Sequence, residues 1–126
     1  MLLDHQGALL TERRIAEAIA RARRTAGGGR PDEAFALLRA ACGEATGVDH
    51  GVLALLDAGS AVALLDTSAR VLSVARLEEA MGELADSPAT ARVHFERAVA
   101  LVAAQRERRA SAALDEALAR LINHLD

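Results

Sequence analysis

Residues 76–102 read RLEEAMGELADSPATARVHFERAVALV, and the fold is decided by how this stretch is read. Ser87-Pro88 in its middle is a helix start: a serine oxygen accepts from the free amides of a first turn, and proline at the first helical position forfeits no intrahelical bond. Before it, Leu77, Ala80, Met81 and Leu84 recur at helical spacing. After it, Ala91, Phe95, Ala98, Val99 and Val102 do the same. The spacing predicts two antiparallel helices whose apolar stripes face each other across a short loop. The stretch holds no constellation of groups able to carry out a reaction, so it indicates an architecture rather than an activity.

Outward from this hairpin, composition points the same way. Of 126 residues, 30 are alanine, there are two phenylalanines (Phe35 and Phe95), and Trp and Tyr are absent. Core volume must therefore come from Leu, Val and the close approach of alanine-rich backbones, and alanine's helix propensity favours an all-α fold. A chain of this length removes roughly two-thirds of its unfolded surface from water, enough for one core and one domain over 1–126. All 15 basic residues are arginine and the net charge is −3, which argues against a dedicated nucleic-acid binder. Cys42 has no second thiol for a disulfide or a cysteine-type metal site, so reducing cytoplasm is the expected setting. Met1-Leu2-Leu3 runs straight into Asp4, and the most apolar window, 48–65, is broken by Asp49, His50 and Asp57; neither a secretion signal nor a membrane span is expected.

Toward the N-terminus, Leu9, Ile15, Ala18, Ile19, Ala22 and Ala26 mark a first amphipathic helix, which Gly27-Gly28-Gly29 ends. Pro31 opens a second, with Asp32 and Glu33 at the positive end of its dipole and Phe35, Leu37, Leu38 and Ala41 on its apolar face up to Gly43 or Gly47. Asp49 and Ser60 are expected to cap two short helices, 51–57 and 61–66, and Ser68 a fifth helix running to about Ala85. Beyond Ala104, Gln105-Arg106-Glu107-Arg108-Arg109 is polar all round, and Leu114, Leu118, Leu121, Ile122 and Leu125 then restore a stripe. Either one helix continues to Asn123 or a break near Ser111 yields a seventh. The expectation is all-α with five to seven helices: hairpin 9–45, short helices 51–66, hairpin 69–104 and a C-terminal helix 105–125.

The two hairpins echo each other. Ala34, Leu38 and Ala41 follow the first loop at the spacing with which Ala91, Phe95 and Ala98 follow the second, and this resembles the second helix of a tetratricopeptide repeat. Gly29-Arg30-Pro31-Asp32-Glu33-Ala34 resembles the turn of such a repeat, while the Trp, Gly and Tyr of its first helix have no counterpart. The likeness covers about half of the chain, and the order of elements is also similar to a group of small bacterial helical proteins. It implies two degenerate hairpins packed as a bundle and, for function, binding of a protein or peptide on a concave helical face.

No motif competes with that implication. Gly27-Gly28-Gly29-Arg30 has neither a preceding strand nor the Gly-Lys-Ser/Thr of a phosphate loop, and reads as a turn. The histidines His5, His50, His94 and His124 form no paired ligand motif on one helix, so no metal site, cofactor or catalytic set is assigned. His94 reads as a boundary residue of helix six rather than an acid or base. Glu78, Glu79 and Glu83 read as a solvated face with arginine partners, and Cys42 as a small buried hydrophobe. Arg13, Arg14, Arg21 and Arg24 give the first helix a basic surface. Residues 1–30 carry six Arg against three acids, and residues 31–67 six acids against Arg39, so pairing within the chain or between subunits is expected ahead of DNA or anionic lipid. The stripe Leu114, Leu118, Leu121 and Ile122 has no obvious partner helix, and with the first helix it is the expected surface of a homodimer. The expected role is a non-enzymatic interaction or scaffold module with a protein partner. The rival is a helical small-ligand-binding or regulatory subunit, whose mark would be a cavity of Leu, Val and Phe with converging Arg or His.

Overall fold

The fifth helix is the axis of the molecule. A computed structural model describes the backbone of residues 2–126 and the side chains from residue 10 onward, so the expectations for His5 and Leu9 fall outside the described side chains. Among the described residues there are seven α-helices and no strand: α1 (Leu2–Gly27), α2 (Pro31–Thr46), α3 (His50–Ala54), α4 (Ala58–Leu65), α5 (Ser68–Leu84), α6 (Pro88–Arg108) and α7 (Ala112–Ile122), closed by a 3-10 turn at Asn123–Leu125. α5 pairs with α6 in the expected hairpin and also touches α1, α2, α4 and α7. Val71, Ser73, Val74, Ala75, Leu77, Glu78, Ala80, Met81 and Gly82 are all buried, so more than half of this helix's circumference is covered, and the stripe through Ala69, Arg76 and Glu83 is left exposed.

Its two sides belong to two cores. Val71, Val74, Leu77 and Met81 join Ile15, Ile19, Leu38, Val62 and Leu65 in the larger, while Ala75 joins Ala98, Val102, Leu114, Ala117 and Leu121 in the smaller. That second cluster corrects the expectation for the C-terminal stripe. Leu114 and Leu121 are fully buried and Leu118 packs beside them, so their partners are α5 and α6 of the same chain; Ile122 remains exposed. The helix breaks where serine permits it: Ser111 Oγ accepts from Leu114 N, and α7 folds back rather than extending α6.

The turn chemistry explains the remaining boundaries. Gly29 (φ 83°) and Gly47 (φ 74°) take the left-handed conformations that end α1 and α2. Asp49 caps α3 through Gly51 N at 2.7 Å. The cap of α4 is Asp57, accepting from Ser60 N at 2.6 Å, rather than Ser60, and the cap of α5 is Thr67 rather than Ser68. In each case a capping side chain stands just ahead of the serine, and the helix starts at the earlier signal. The polar run after Ala104 is not simply solvated. Gln105 is buried and donates to Ser68 Oγ at 3.0 Å, and Arg108 Nη1 donates to Val62 O at 2.7 Å, tying α6 to the second half of α4 and the first residue of α5.

Close approach within the α5–α6 hairpin depends on Gly82. A Cβ there would stand 2.5 Å from Cε1 of Phe95, whose ring also stacks on that of His124 at 4.1 Å with 6° between the planes. Gly82→Ala should therefore lower stability by about 1–2 kcal/mol, because for contacts this short the overpacking cost is at the upper end, about 2–3 kcal/mol, and outweighs a helix-propensity gain of about 1 kcal/mol. Urea denaturation checks this. Adding Phe95→Leu should recover part of the loss, and a Gly82→Ala protein as stable as the wild type would contradict it.

Candidate functional site

Each residue turns an α-helix by about 100°, so Arg76 and Glu78 leave α5 on nearly opposite sides. Each side meets a concavity.

On the Arg76 side, α1 and α7 stand apart over α5 and leave an open groove of about 780 Å³. Ile15, Leu72, Ala75 and Ala117 form an apolar floor, and Arg70, Arg76 and Arg120 with Glu12 and Glu116 form its charged edges. Arg120 is held by Glu79 at 3.2 Å, and Arg70 Nη1 donates to Leu65 O at 3.4 Å. Arg76 has no hydrogen bond or ion pair among the described residues. Ala69 and Ala113, both exposed, border the opening.

Beside the groove lies a polar knot. Glu79 receives Arg120 and His124 Nε2, the latter at 2.8 Å, and Glu83 receives Arg23 at 3.0 Å. Glu79, Glu83 and His124 bring their ligand atoms within 4.8 Å of one another. Two guanidinium groups already compensate these carboxylates, which is the arginine-paired surface expected of them.

Glu78 behaves otherwise. It occupies a position of the Val71, Val74, Met81 stripe and is buried at 5 % exposure. His50, the first residue of α3, approaches Oε1 with Nε2 at 2.7 Å, and His94 of α6 approaches Oε2 with Nδ1 at 2.8 Å. Burial alone would raise the carboxyl's pKa, but the two imidazole hydrogen bonds and the charges of the rings outweigh it and hold it down at about 2. An ionised carboxylate only accepts, so the proton of each ring lies on the nitrogen facing Glu78. Phe35 leans on His94 with ring centroids 6.0 Å apart, and nearby Cys42, buried, has its thiol pushed up to about 11 by burial. A cavity of about 220 Å³ opens beside the cluster, lined by both histidines, Glu78 and Arg97 together with Leu53, Val74, Val93 and Leu101.

Glu78 is thus not part of a solvated face, and His94 is not an isolated boundary residue. The signal for Glu78 was its place in an apolar stripe at helical spacing. The histidines carried none, because His50 lies 28 residues from Glu78 and His94 lies 16.

The sequence-assigned surface residues are not brought together. Arg13, Arg14, Arg21 and Arg24 are exposed on α1, whereas Leu114 and Leu121 are buried in the core. Among the described residues none of these four arginines has an acidic partner, so the expected pairing with segment 31–67 is not what the structure shows. Arg30 pairs with Glu33 across the turn, and Arg23 pairs with Glu83 on α5 rather than with an acid of α2. The physical reason is rotation: the side of α1 that faces α2 and α5 carries Ile15, Ile19, Ala22 and Thr25, which turns the basic positions to solvent. No helix of the described residues is long and apolar enough to cross a membrane. No protein-family model, curated protein or solved structure matches this chain.

Proposed function

We propose that the protein is a non-catalytic interaction module that receives an amphipathic peptide segment of another protein in the groove between α1 and α7. The observation that carries this reading is the groove itself. It is an apolar floor of Ile15, Leu72, Ala75 and Ala117 with Arg76 beside it, free of any acidic partner among the described residues. Apolar residues of the guest would cover the floor and a carboxylate between them would meet Arg76, an arrangement in which an arginine desolvated by its partner becomes a major contributor to affinity. Binding of a protein or peptide on a concave helical face is also what the resemblance to tetratricopeptide repeats implies. Nucleic acid is not the partner called for, given a net charge of −3. The unpaired, buried Cys42 suits the reducing cytoplasm in which this reading places the module. A homodimer is no part of the reading, because the leucines that argued for it are covered within the chain.

Affinity capture from the native host identifies the partner and its bound segment. Ala69→Trp, which fills the groove from its exposed border, and Arg76→Glu, which reverses its charge, should each weaken binding of that segment roughly tenfold or more. Arg21→Glu, on the outer side of α1, should not. Binding undiminished by both groove substitutions would overturn the reading.

A further inference from the structure

The His50–Glu78–His94 cluster has more capacity than a clasp requires. Holding α3, α5 and α6 together takes one nitrogen from each ring, and those are the nitrogens at 2.7 and 2.8 Å from Glu78. The other two, Nδ1 of His50 and Nε2 of His94, have no partner among the described residues. Neither is sealed away, since no buried side-chain nitrogen or oxygen among those residues lacks a partner. Arg97 uses Nη2 on Leu53 O at 2.7 Å, which leaves its remaining N–H groups uncommitted. Both rings and Arg97 line the same cavity, whose other walls are Glu78, Leu53, Ala54, Val74, Val93 and Leu101. Few polar groups converging in an otherwise apolar concavity are the pattern of a small-molecule site.

We infer that the cavity between α3, α5 and α6 binds a small apolar carboxylate, with Arg97 and an open ring nitrogen holding the carboxylate and Leu53, Val74, Val93 and Leu101 holding its hydrocarbon. The charges decide the class. Glu78 already takes an imidazole on each oxygen, while the guanidinium of Arg97 repels a cation and forms charge-assisted bonds with a carboxylate. The concavity is small, about 220 Å³ against the roughly 300–1,000 Å³ of drug-sized sites, which suits a short branched acid such as isovalerate. One oxygen of the bound carboxylate accepts from Arg97. The other meets an open ring nitrogen through one proton taken from solvent with the ligand, carried by either the ring or the acid. Glu78 orients both rings by fixing which nitrogen of each faces inward, and acts as a positioning residue. This site lies on the opposite side of α5 from the peptide groove and does not rest on that reading.

The test follows the amide and imidazole resonances of the full chain during titration with isovalerate, with isoamyl alcohol and with zinc ion. Isovalerate should give saturable shifts centred on His50, His94 and Arg97 with a Kd on the order of 1 mM, and isoamyl alcohol should give none. Arg97→Gln, which keeps a donor for Leu53 O, should weaken binding roughly tenfold. Val93→Phe, introduced at a position that is 64 % exposed, fills the cavity from its rim without disturbing the core and should abolish binding. Equal response to the alcohol would reduce the cavity to an apolar hole. Zinc taking up the histidines in place of the acid, or the absence of any saturable response to isovalerate, would likewise overturn the assignment.

Discussion

Glu78→Gln will lower stability at pH 7 by about 3 kcal/mol and will flatten the acid limb of the stability profile. Glutamine has nearly the shape of the neutral acid, so it reports what is lost when the carboxylate is uncharged. The carboxyl's pKa is depressed from 4.5 to about 2 in the fold, and at 1.36 kcal/mol per unit this links about 3 kcal/mol of stability to ionisation. The sign follows from the direction of the depression. The contribution is fully present above the unfolded carboxyl's range and is lost as pH falls from about 5 toward 2, because the proton binds the unfolded chain more readily than the folded one. Other charged or titratable groups around the carboxylate are His50 from α3, His94 and Arg97 from α6 and Cys42 from α2. Urea denaturation of both proteins from pH 7 to pH 3 measures the effect. The wild type should lose most of its advantage over the variant across that interval, and equal stability at pH 7 would show that the cluster contributes nothing.

Leu121→Ala will cost about 2–5 kcal/mol, and the loss will not depend on protein concentration. The side chain is fully buried with Leu114, Ala117, Ala98, Val102 and Ala75, and its truncation removes transfer energy and leaves a cavity between helices that cannot collapse without moving. Ile122→Glu, at a position 42 % exposed, should stay within about 0.5 kcal/mol of the wild type. If the stripe instead lay in a subunit interface, both substitutions would be costly and the unfolding midpoint would rise with concentration. Thermal melts at two concentrations a hundredfold apart distinguish the two cases.

The helices were legible because their signals are local. Ser87-Pro88, Pro31, Asp49 and Ser111 each mark a helix start within a few residues, and each helix begins where its cap allows. What was not legible depends on rotation and return of the chain. Whether Leu114 and Leu121 meet a second copy or α6 is decided by the direction α7 takes after Ser111, which no short-range pattern encodes. The facing of α1 is a similar case: charge counts by segment suggested pairing with α2, yet the apolar side of α1 is the one that α2 covers, so the arginines look outward. Glu78 was half legible. A carboxylate within an apolar stripe signals a buried partner, but His50 and His94 reach it only through the packing of α3 and α6 on α5.

The claim that the protein is a peptide-binding module is tested most directly by titrating the captured partner segment into the isotopically labelled chain and mapping amide shifts. The account predicts shifts concentrated at Ile15, Leu72, Arg76, Ala113 and Ala117, on the three helices that wall the groove, with the Arg13, Arg21 and Arg24 surface of α1 unperturbed. Shifts concentrated on that outer arginine surface, with the groove silent, would contradict it.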